Sequence, residues 1–200
     1  GYGIGVMMPA LMFGNVSGNH INPAFTIGLA VSGLFPWENV LYYIVAQLLG
    51  AMFGQLVVVA THRPYYLQTE NPNNILGTFS TISSLDKGTP ESRKAATING
   101  FVNEFAGSFV LFFGALALTK HFFGAEVASL AQRAATEQGG IFDASSTAAK
   151  LALSQAHAPG LGVAHLALGF LVMALVTSLG GPTGPALNPA RDLGPRLLHA

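Results

Sequence analysis

The sequence contains no cysteine and few charged residues. Only 9% of its 200 residues are charged, whereas an average soluble domain has about 25%. Without cysteine the chain has neither a disulfide framework nor thiol chemistry. Its formal net charge is zero, and no run of basic residues is present, which argues against a nucleic acid as partner.

The histidines do not form a recognisable metal site either. They stand at positions 20, 62, 121, 157, 165 and 199, without the paired spacing typical of metal ligands. An integral-membrane enzyme would need such a cluster, or a nucleophile beside a base. We therefore expect no metal, no cofactor and no catalytic activity.

What the chain does contain is apolar. Half of its residues are hydrophobic, and the mean hydropathy is +0.48. It has 24 glycines, and glycine is more frequent in membrane helices than in soluble ones because it allows close packing. These features predict an all-α membrane protein. The chain begins within an apolar run, without Met and without a signal peptide, so we interpret it as a fragment of a longer protein.

Two copies of one triplet organise the sequence: Asn22-Pro23-Ala24 and Asn188-Pro189-Ala190. Asparagine is a favoured helix N-cap, and proline is favoured at the first helical position. Short apolar runs follow, at 25–31 and 193–198. A helix of about nine residues is roughly 13 Å long, near half of a ~30 Å hydrocarbon layer. The pattern predicts two half-helices that enter from opposite faces and meet at their N-termini.

The rest of the chain supports an internal repeat. Apolar runs predict spans near 1–13, 37–60, 98–118 and 160–179, with polar loops at 61–97 and 120–159. Within the second loop, residues 126–133 and 147–156 have patterns typical of amphipathic surface helices. Glycine-rich segments at 14–21 and 180–185 precede the triplets, and loop backbone at membrane depth must be buried or line a wet cavity. Paired broken segments of this kind indicate a substrate path.

We interpret the whole chain, 1–200, as one channel domain. Residues 1–60 would be the first-repeat portion, 61–97 a loop and 98–200 the second-repeat portion, with the triplets 166 residues apart. Small residues at Gly50, Ala51 and Gly54 predict a close helix contact.

Two segments carry a family resemblance. Residues 17–27 (SGNHINPAFTI) and 182–196 (PTGPALNPARDLGPR) resemble the signature loops of the aquaporin, or major intrinsic protein, family. Residues 76–81 (LGTFST), Asp192 and Arg196 are similar to its glycerol-facilitator branch. The resemblance implies six spanning helices and two half-helices, of which the first and last spanning helices would be missing here. It also implies a homotetramer in the plasma membrane, with one pore per subunit.

The resemblance assigns roles within that pore. Asn22 and Asn188 would donate hydrogen bonds to a passing molecule, while the positive helix ends and Arg191 repel cations and protons. Backbone carbonyls would form an acceptor ladder, contributed by Gly18, Asn19, His20, Gly184, Pro185 and Ala186. The narrow selectivity filter would consist of Tyr2, Val176, Pro185 and Arg191.

The filter differs from the usual glycerol-facilitator pattern of Trp, Gly, Phe and Arg. Tyr2 keeps an aromatic wall, Pro185 removes the second ring, and Val176 restores a little bulk. We expect a wider filter that passes glycerol and other small polyols, water, dihydroxyacetone, hydrogen peroxide or undissociated lactic acid. Alternatives are a strict water channel, a structural junction protein and a secondary transporter. A transporter would need a coupling site, usually several intramembrane carboxylates or a sodium site, and Glu104 is the only candidate.

Four residues have structural interpretations. Glu104 lies within a span, where a carboxyl group faces protein or water. We expect it to accept hydrogen bonds from buried loop backbone rather than to transfer protons. Asp192 and Arg196 are four apart, can pair on one helix face, and would shape the loop that sets the pore width. His20 would be a packing residue that holds its loop. The resemblance places the 61–97 loop outside the cell and the 120–159 loop inside. The 61–97 loop has four Lys or Arg residues and the 120–159 loop has three, and this small difference favours the opposite orientation.

Overall fold

Helices account for most of the chain in the computed structural model, which describes residues 1–123 and 147–199. The seven helices in these ranges are α1 (Tyr2–Ser17), α2 (Pro23–Val31), α3 (Trp37–Gln68), α4 (Pro72–Phe79), α5 (Pro90–Phe123), α6 (Thr147–Thr183) and α7 (Pro189–His199).

Three helices within the described ranges are long and apolar enough to cross a membrane. The stretches are Trp37–Gln68, Pro90–Leu118 and Gly162–Thr183, and Tyr2–Gly14 is a shorter apolar helix. These are the four apolar segments that hydropathy predicts. The two half-helices also begin where expected, at Pro23 and Pro189, and have 9 and 11 residues.

The prediction of one loop at 61–97 is wrong. Helix α3 continues to Gln68, the short helix α4 follows at Pro72–Phe79, and α5 already begins at Pro90. The α5 start has a reciprocal cap, in which the backbone N–H of Ser92 donates to the Thr89 hydroxyl and that of Thr89 to the Ser92 hydroxyl, both at 3.2 Å. Local capping thus starts the helix eight residues before its apolar part.

The glycine-rich loops are also shorter than predicted. Helix α1 runs to Ser17 and α6 to Thr183, so half of 14–21 and most of 180–185 is helical. Each helix ends at a glycine in the left-handed conformation, Gly18 with φ 70° and Gly184 with φ 64°. Glycine adopts this conformation without the penalty that a Cβ would bring, which makes it the usual helix stop.

The predicted surface helices have different outcomes. Residues 147–156 form the first part of α6 rather than a separate element, and 126–133 lie outside the described residues.

The chain divides into two compact units: residues 1–19 with 113–174, and residues 20–112 with 175–200. The division into a first-repeat portion 1–60, a segment 61–97 and a second-repeat portion 98–200 stays a prediction. In the first unit, α1 and α6 approach so closely at Gly3 and Gly169 that a Cβ on Gly3 would collide with the Gly169 carbonyl.

In the second unit, half-helix α7 packs on α3. A Cβ at Gly194 would stand 3.1 Å from the Cβ of Ala51 and 3.1 Å from the carbonyl oxygen of Leu48. Ala51 therefore makes the close contact predicted for its cluster. At Gly50 and Gly54 a Cβ would meet no atom of the described residues within 4 Å, so no close contact is made there within this chain.

Candidate functional site

Both Asn-Pro-Ala triplets begin their half-helices with the same side-chain cap. The Asn22 Oδ1 atom accepts from the backbone N–H groups of Ala24 at 3.0 Å and Phe25 at 3.4 Å. The Asn188 Oδ1 atom accepts from Ala190 at 3.0 Å and Arg191 at 3.4 Å. Since the oxygen of each amide faces its own helix, its nitrogen points away from that helix.

These nitrogens join the two loops. Asn22 Nδ2 donates to the carbonyl oxygen of Leu187 at 2.7 Å, and Asn188 Nδ2 donates to that of Ile21 at 2.6 Å. An asparagine amide carries two hydrogens, so each side chain uses one for the opposite loop and has a second to offer to a molecule at the junction. Sequence reasoning placed both donors here and missed the bonds between the loops.

The backbone is strained where each carbonyl turns to the other loop. Ile21 has φ 38° and Leu187 has φ 53°, in the left-handed region that residues with a Cβ rarely adopt. Such conformations persist where the surroundings enforce them, often at functional sites. Both residues directly precede their asparagine, so the repeat extends to the backbone conformation.

Glu104 supports the second loop from α5. Its Oε1 atom accepts from the Thr183 hydroxyl at 2.8 Å and the Ala186 N–H at 3.0 Å. Its Oε2 atom accepts from the Leu187 N–H at 2.7 Å. Both oxygens are thus occupied by loop donors, in agreement with a structural interpretation of this carboxyl group.

Thr26 holds the first loop against α3. Its buried hydroxyl donates to the Asn22 carbonyl at 3.1 Å, and Gln47 Nε2 donates to that hydroxyl at 2.9 Å. The His20 Nδ1 atom lies 3.2 Å from the same hydroxyl. The His20 ring packs among Phe35 and Tyr43, with ring centroids 4.6 and 4.9 Å away. His20 therefore sits in an aromatic cluster beside its loop, as a packing residue would.

The second half-helix also holds a loop, residues 80–84. Asp192 Oδ1 accepts from the backbone N–H and the hydroxyl of Thr81, both at 2.7 Å. Arg196 donates to the Thr81 carbonyl at 2.8 Å and pairs with Asp192 at 3.4 Å. Farther along, the Ser84 N–H donates to the carbonyl of Pro182 at 2.9 Å. Asp192 and Arg196 thus act together on one loop, and Thr81 is a partner that the sequence did not indicate.

The predicted filter residues have definite places in the fold. Val176 lies half-buried on α6, Pro185 is buried in the second loop with its Cδ 3.4 Å from the position of a Gly180 Cβ, and half-buried Arg191 lies in the first turn of α7. These three belong to the second unit, whereas Tyr2 opens α1 in the first.

The predicted carbonyl residues are divided in the same way. Gly18 and Asn19 belong to the first unit, while His20, Gly184 and Ala186 belong to the second. The structure joins His20 to Thr26 and Ala186 to Glu104. The roles of all filter and carbonyl residues in conduction remain predictions.

A groove of about 440 Å³ lies between α2 and α5 in the second unit. Its polar lining includes Asn22, Glu104 and Ser108, and most of the rest is apolar, contributed by Ala24, Phe25, Gly28, Phe101, Phe105, Phe109, Leu111, Phe112 and Leu187. Aromatic side chains thus share the lining of this groove with Asn22.

Known proteins are similar to this chain in sequence. Residues 1–135 match the family model described as major intrinsic protein. The glycerol facilitator-aquaporin gla of Lactococcus lactis subsp. cremoris is 57% identical over 201 residues, covering 100% of this chain and 69% of that protein. The glycerol uptake facilitator protein of Bacillus subtilis is 37% identical over 200 residues, covering 100% of this chain and 57% of that protein.

A solved structure agrees with the sequence relatives. The aquaglyceroporin from Plasmodium falciparum superimposes with a TM-score of 0.56 at 26% identity, covering 98% of this chain and 63% of that one. With its apolar helices, half-helices and paired triplets, the chain belongs to the major intrinsic protein family and is an integral, multi-pass membrane protein with the aquaporin fold.

Proposed function

We propose that this protein is a passive channel for glycerol and other small neutral solutes in the plasma membrane, working as a homotetramer. The observation that carries the proposal is the reciprocal contact of the two capped half-helices through Asn22 and Asn188. The relatives named as glycerol facilitators support the choice of solute.

The junction is suited to polar, uncharged molecules. Each half-helix carries roughly half a positive charge at its N-terminus, and both N-termini meet at the asparagines. A hydroxyl oxygen can accept the second hydrogen of either amide while apolar walls contact the carbon side. A cation or a hydrated proton would meet two positive helix ends and Arg191, which opposes its passage.

The residues predicted for the filter support a range of solutes broader than glycerol alone. Pro185 and Val176 stand where the family pattern has Phe and Gly, and Tyr2 replaces Trp. We expect water, dihydroxyacetone, hydrogen peroxide and undissociated lactic acid to pass as well. The lactate anion should not pass, because nothing compensates the cost of moving its charge through low dielectric.

Stopped-flow light scattering of proteoliposomes tests the proposal. Shrinkage and reswelling are recorded with water and a panel of neutral solutes, using the wild type, Arg191→Val, and Leu41→Ala as a control at an exposed position on α3. We expect rapid glycerol reswelling in the wild type and control. Water flux without glycerol flux would show a strict water channel, and solute accumulation against its gradient would show a transporter.

Lactic acid uptake at several pH values tests the filter separately. The undissociated fraction falls by about tenfold for each pH unit above the carboxyl pKa, and uptake should fall with it. Uptake that follows the anion concentration would contradict the proposed exclusion of charge.

A further inference from the structure

Asn103 lies on α5 directly before Glu104 and is buried. Its Nδ2 atom donates to the carbonyl oxygen of Leu179 at 3.0 Å and to the Thr183 hydroxyl at 2.9 Å. Both acceptors belong to the last turns of α6, where the chain enters the second Asn-Pro-Ala loop. Neither the repeat nor the family resemblance indicated this residue.

The direction of these hydrogen bonds follows from their chemistry. A carbonyl oxygen can only accept, so the Leu179 contact requires the amide nitrogen, rather than its oxygen, to face α6. Both amide hydrogens are then used. Thr183 receives one of them, and its single hydroxyl hydrogen is left to donate to Glu104 Oε1 at 2.8 Å.

The same bonds continue to the junction of the half-helices. Glu104 accepts from the backbone N–H of Leu187 at 2.7 Å, and the carbonyl of Leu187 accepts from Asn22 at 2.7 Å. Hydrogen bonds therefore lead from Asn103 through Thr183 and Glu104 to the Leu187 N–H, and the backbone of Leu187 connects them to the carbonyl that faces the first triplet. Buried hydrogen bonds polarise one another along such a network. The N–H and the carbonyl of Leu187 belong to different peptide groups, so beyond Glu104 the network acts on Asn22 by holding the Leu187 backbone in place.

We propose that Asn103 is a positioning residue for the pore. Its amide orients the Thr183 hydroxyl, which holds the Glu104 carboxyl group at the angle that places the Leu187 carbonyl opposite Asn22. Asn103 itself touches no solute. The inference rests on the proposed channel function, and it adds a residue that acts through the second loop.

The test uses the full-length protein in proteoliposomes. Asn103→Leu removes both donors at similar volume, Thr183→Val removes the hydroxyl, and Thr183→Ser keeps it. We expect Asn103→Leu and Thr183→Val each to lower glycerol permeability by about 3- to 10-fold, as expected for losing one or two buried hydrogen bonds. The double variant that combines Asn103→Leu with Thr183→Val should lose no more glycerol permeability than either single variant. The permeability of Thr183→Ser should remain close to that of the wild type.

The ratio of glycerol to water permeability separates positioning from simple loss of folded channels. Fewer folded channels lower both permeabilities in proportion, whereas a displaced Asn22 changes their ratio. Additive effects in the double variant, or an unchanged ratio, would overturn the inference. If Asn103→Leu fails to reconstitute, the smaller change Asn103→Ser is judged by the same outcomes. A wild type without glycerol flux would instead refute the proposed function.

Discussion

Asn22 and Asn188 each donate a hydrogen bond to the carbonyl that directly precedes the other, at 2.7 and 2.6 Å. Each side chain also caps its own half-helix through its oxygen. One asparagine therefore fixes both the start of a helix and the position of the opposite loop. Substitution of either asparagine should therefore affect its own half-helix and the opposite loop.

Replacing the two asparagines tests this coupling. Asn22→Ala and Asn188→Ala each remove a cap worth about 0.5–2 kcal/mol and a hydrogen bond worth about 0.5–1.5 kcal/mol. We expect each to lower the free energy of unfolding by about 1–3 kcal/mol, and the double variant by less than the sum. Asn71→Ala is the matched control, because Asn71 caps α4 through Asn73 without joining a second loop. Unfolding in detergent measures all four variants, and strict additivity would speak against the coupling.

Gly194 should tolerate a side chain less well than Gly50. A Cβ at Gly194 would stand 3.1 Å from the Leu48 carbonyl and so push α7 away from α3. We expect Gly194→Ala to lower the unfolding temperature and glycerol permeability together. Gly50→Ala changes a helical glycine with open surroundings, and should be neutral or stabilising by up to about 1 kcal/mol. A destabilising Gly50→Ala in the assembled protein would indicate that another subunit packs there.

Asp192 should control the loop that contains Thr81. Asp192→Ala removes the acceptor for two Thr81 donors and the partner of Arg196. Because the loop then keeps only its bonds to Arg196 and Pro182, we expect it to shift and the ratio of glycerol to water permeability to change. Thr81→Val removes only the hydroxyl bond and should have a smaller effect of the same sign. Unchanged ratios in both variants would show that this loop does not set the width of the path.

Val176→Trp tests the predicted filter directly. A large ring at this position should narrow the filter, and glycerol permeability should fall by more than water permeability. Val45→Trp places the same ring on an exposed position of α3 and serves as control. Unchanged glycerol flux in Val176→Trp would show that Val176 does not line the filter. Stopped-flow measurements on both variants, normalised to the reconstituted protein, distinguish these outcomes.

The sequence predicted the starts of the two half-helices better than the ends of the helices that precede them. Asn22 and Asn188 followed by proline determine a start through local chemistry alone. The stops at Gly18 and Gly184 were placed several residues too early, because small and polar residues before them suggested loop backbone. Within a packed bundle those residues remain helical, and the left-handed glycine alone ends the helix.

Long-range contacts were the part that local patterns could not supply. Glu104 was assigned to the loops because a carboxyl group within a span needs donors, and the Leu187 N–H is one of them. The bond from Asn103 to Leu179 joins residues 76 positions apart, and no spacing rule indicates it. The left-handed conformation of Ile21 is equally invisible, since β-branched residues disfavour it.

The crossed amides also bear on regulation. The two loops are joined by two hydrogen bonds, and both must break before the half-helices can separate. The middle of the passage is therefore its most firmly fixed part. If conduction through this protein is ever switched on or off, the moving part should be sought at the ends of the passage. The 80–84 loop is one place to look, since Asp192, Arg196 and the Pro182 carbonyl hold it and the paired asparagines do not.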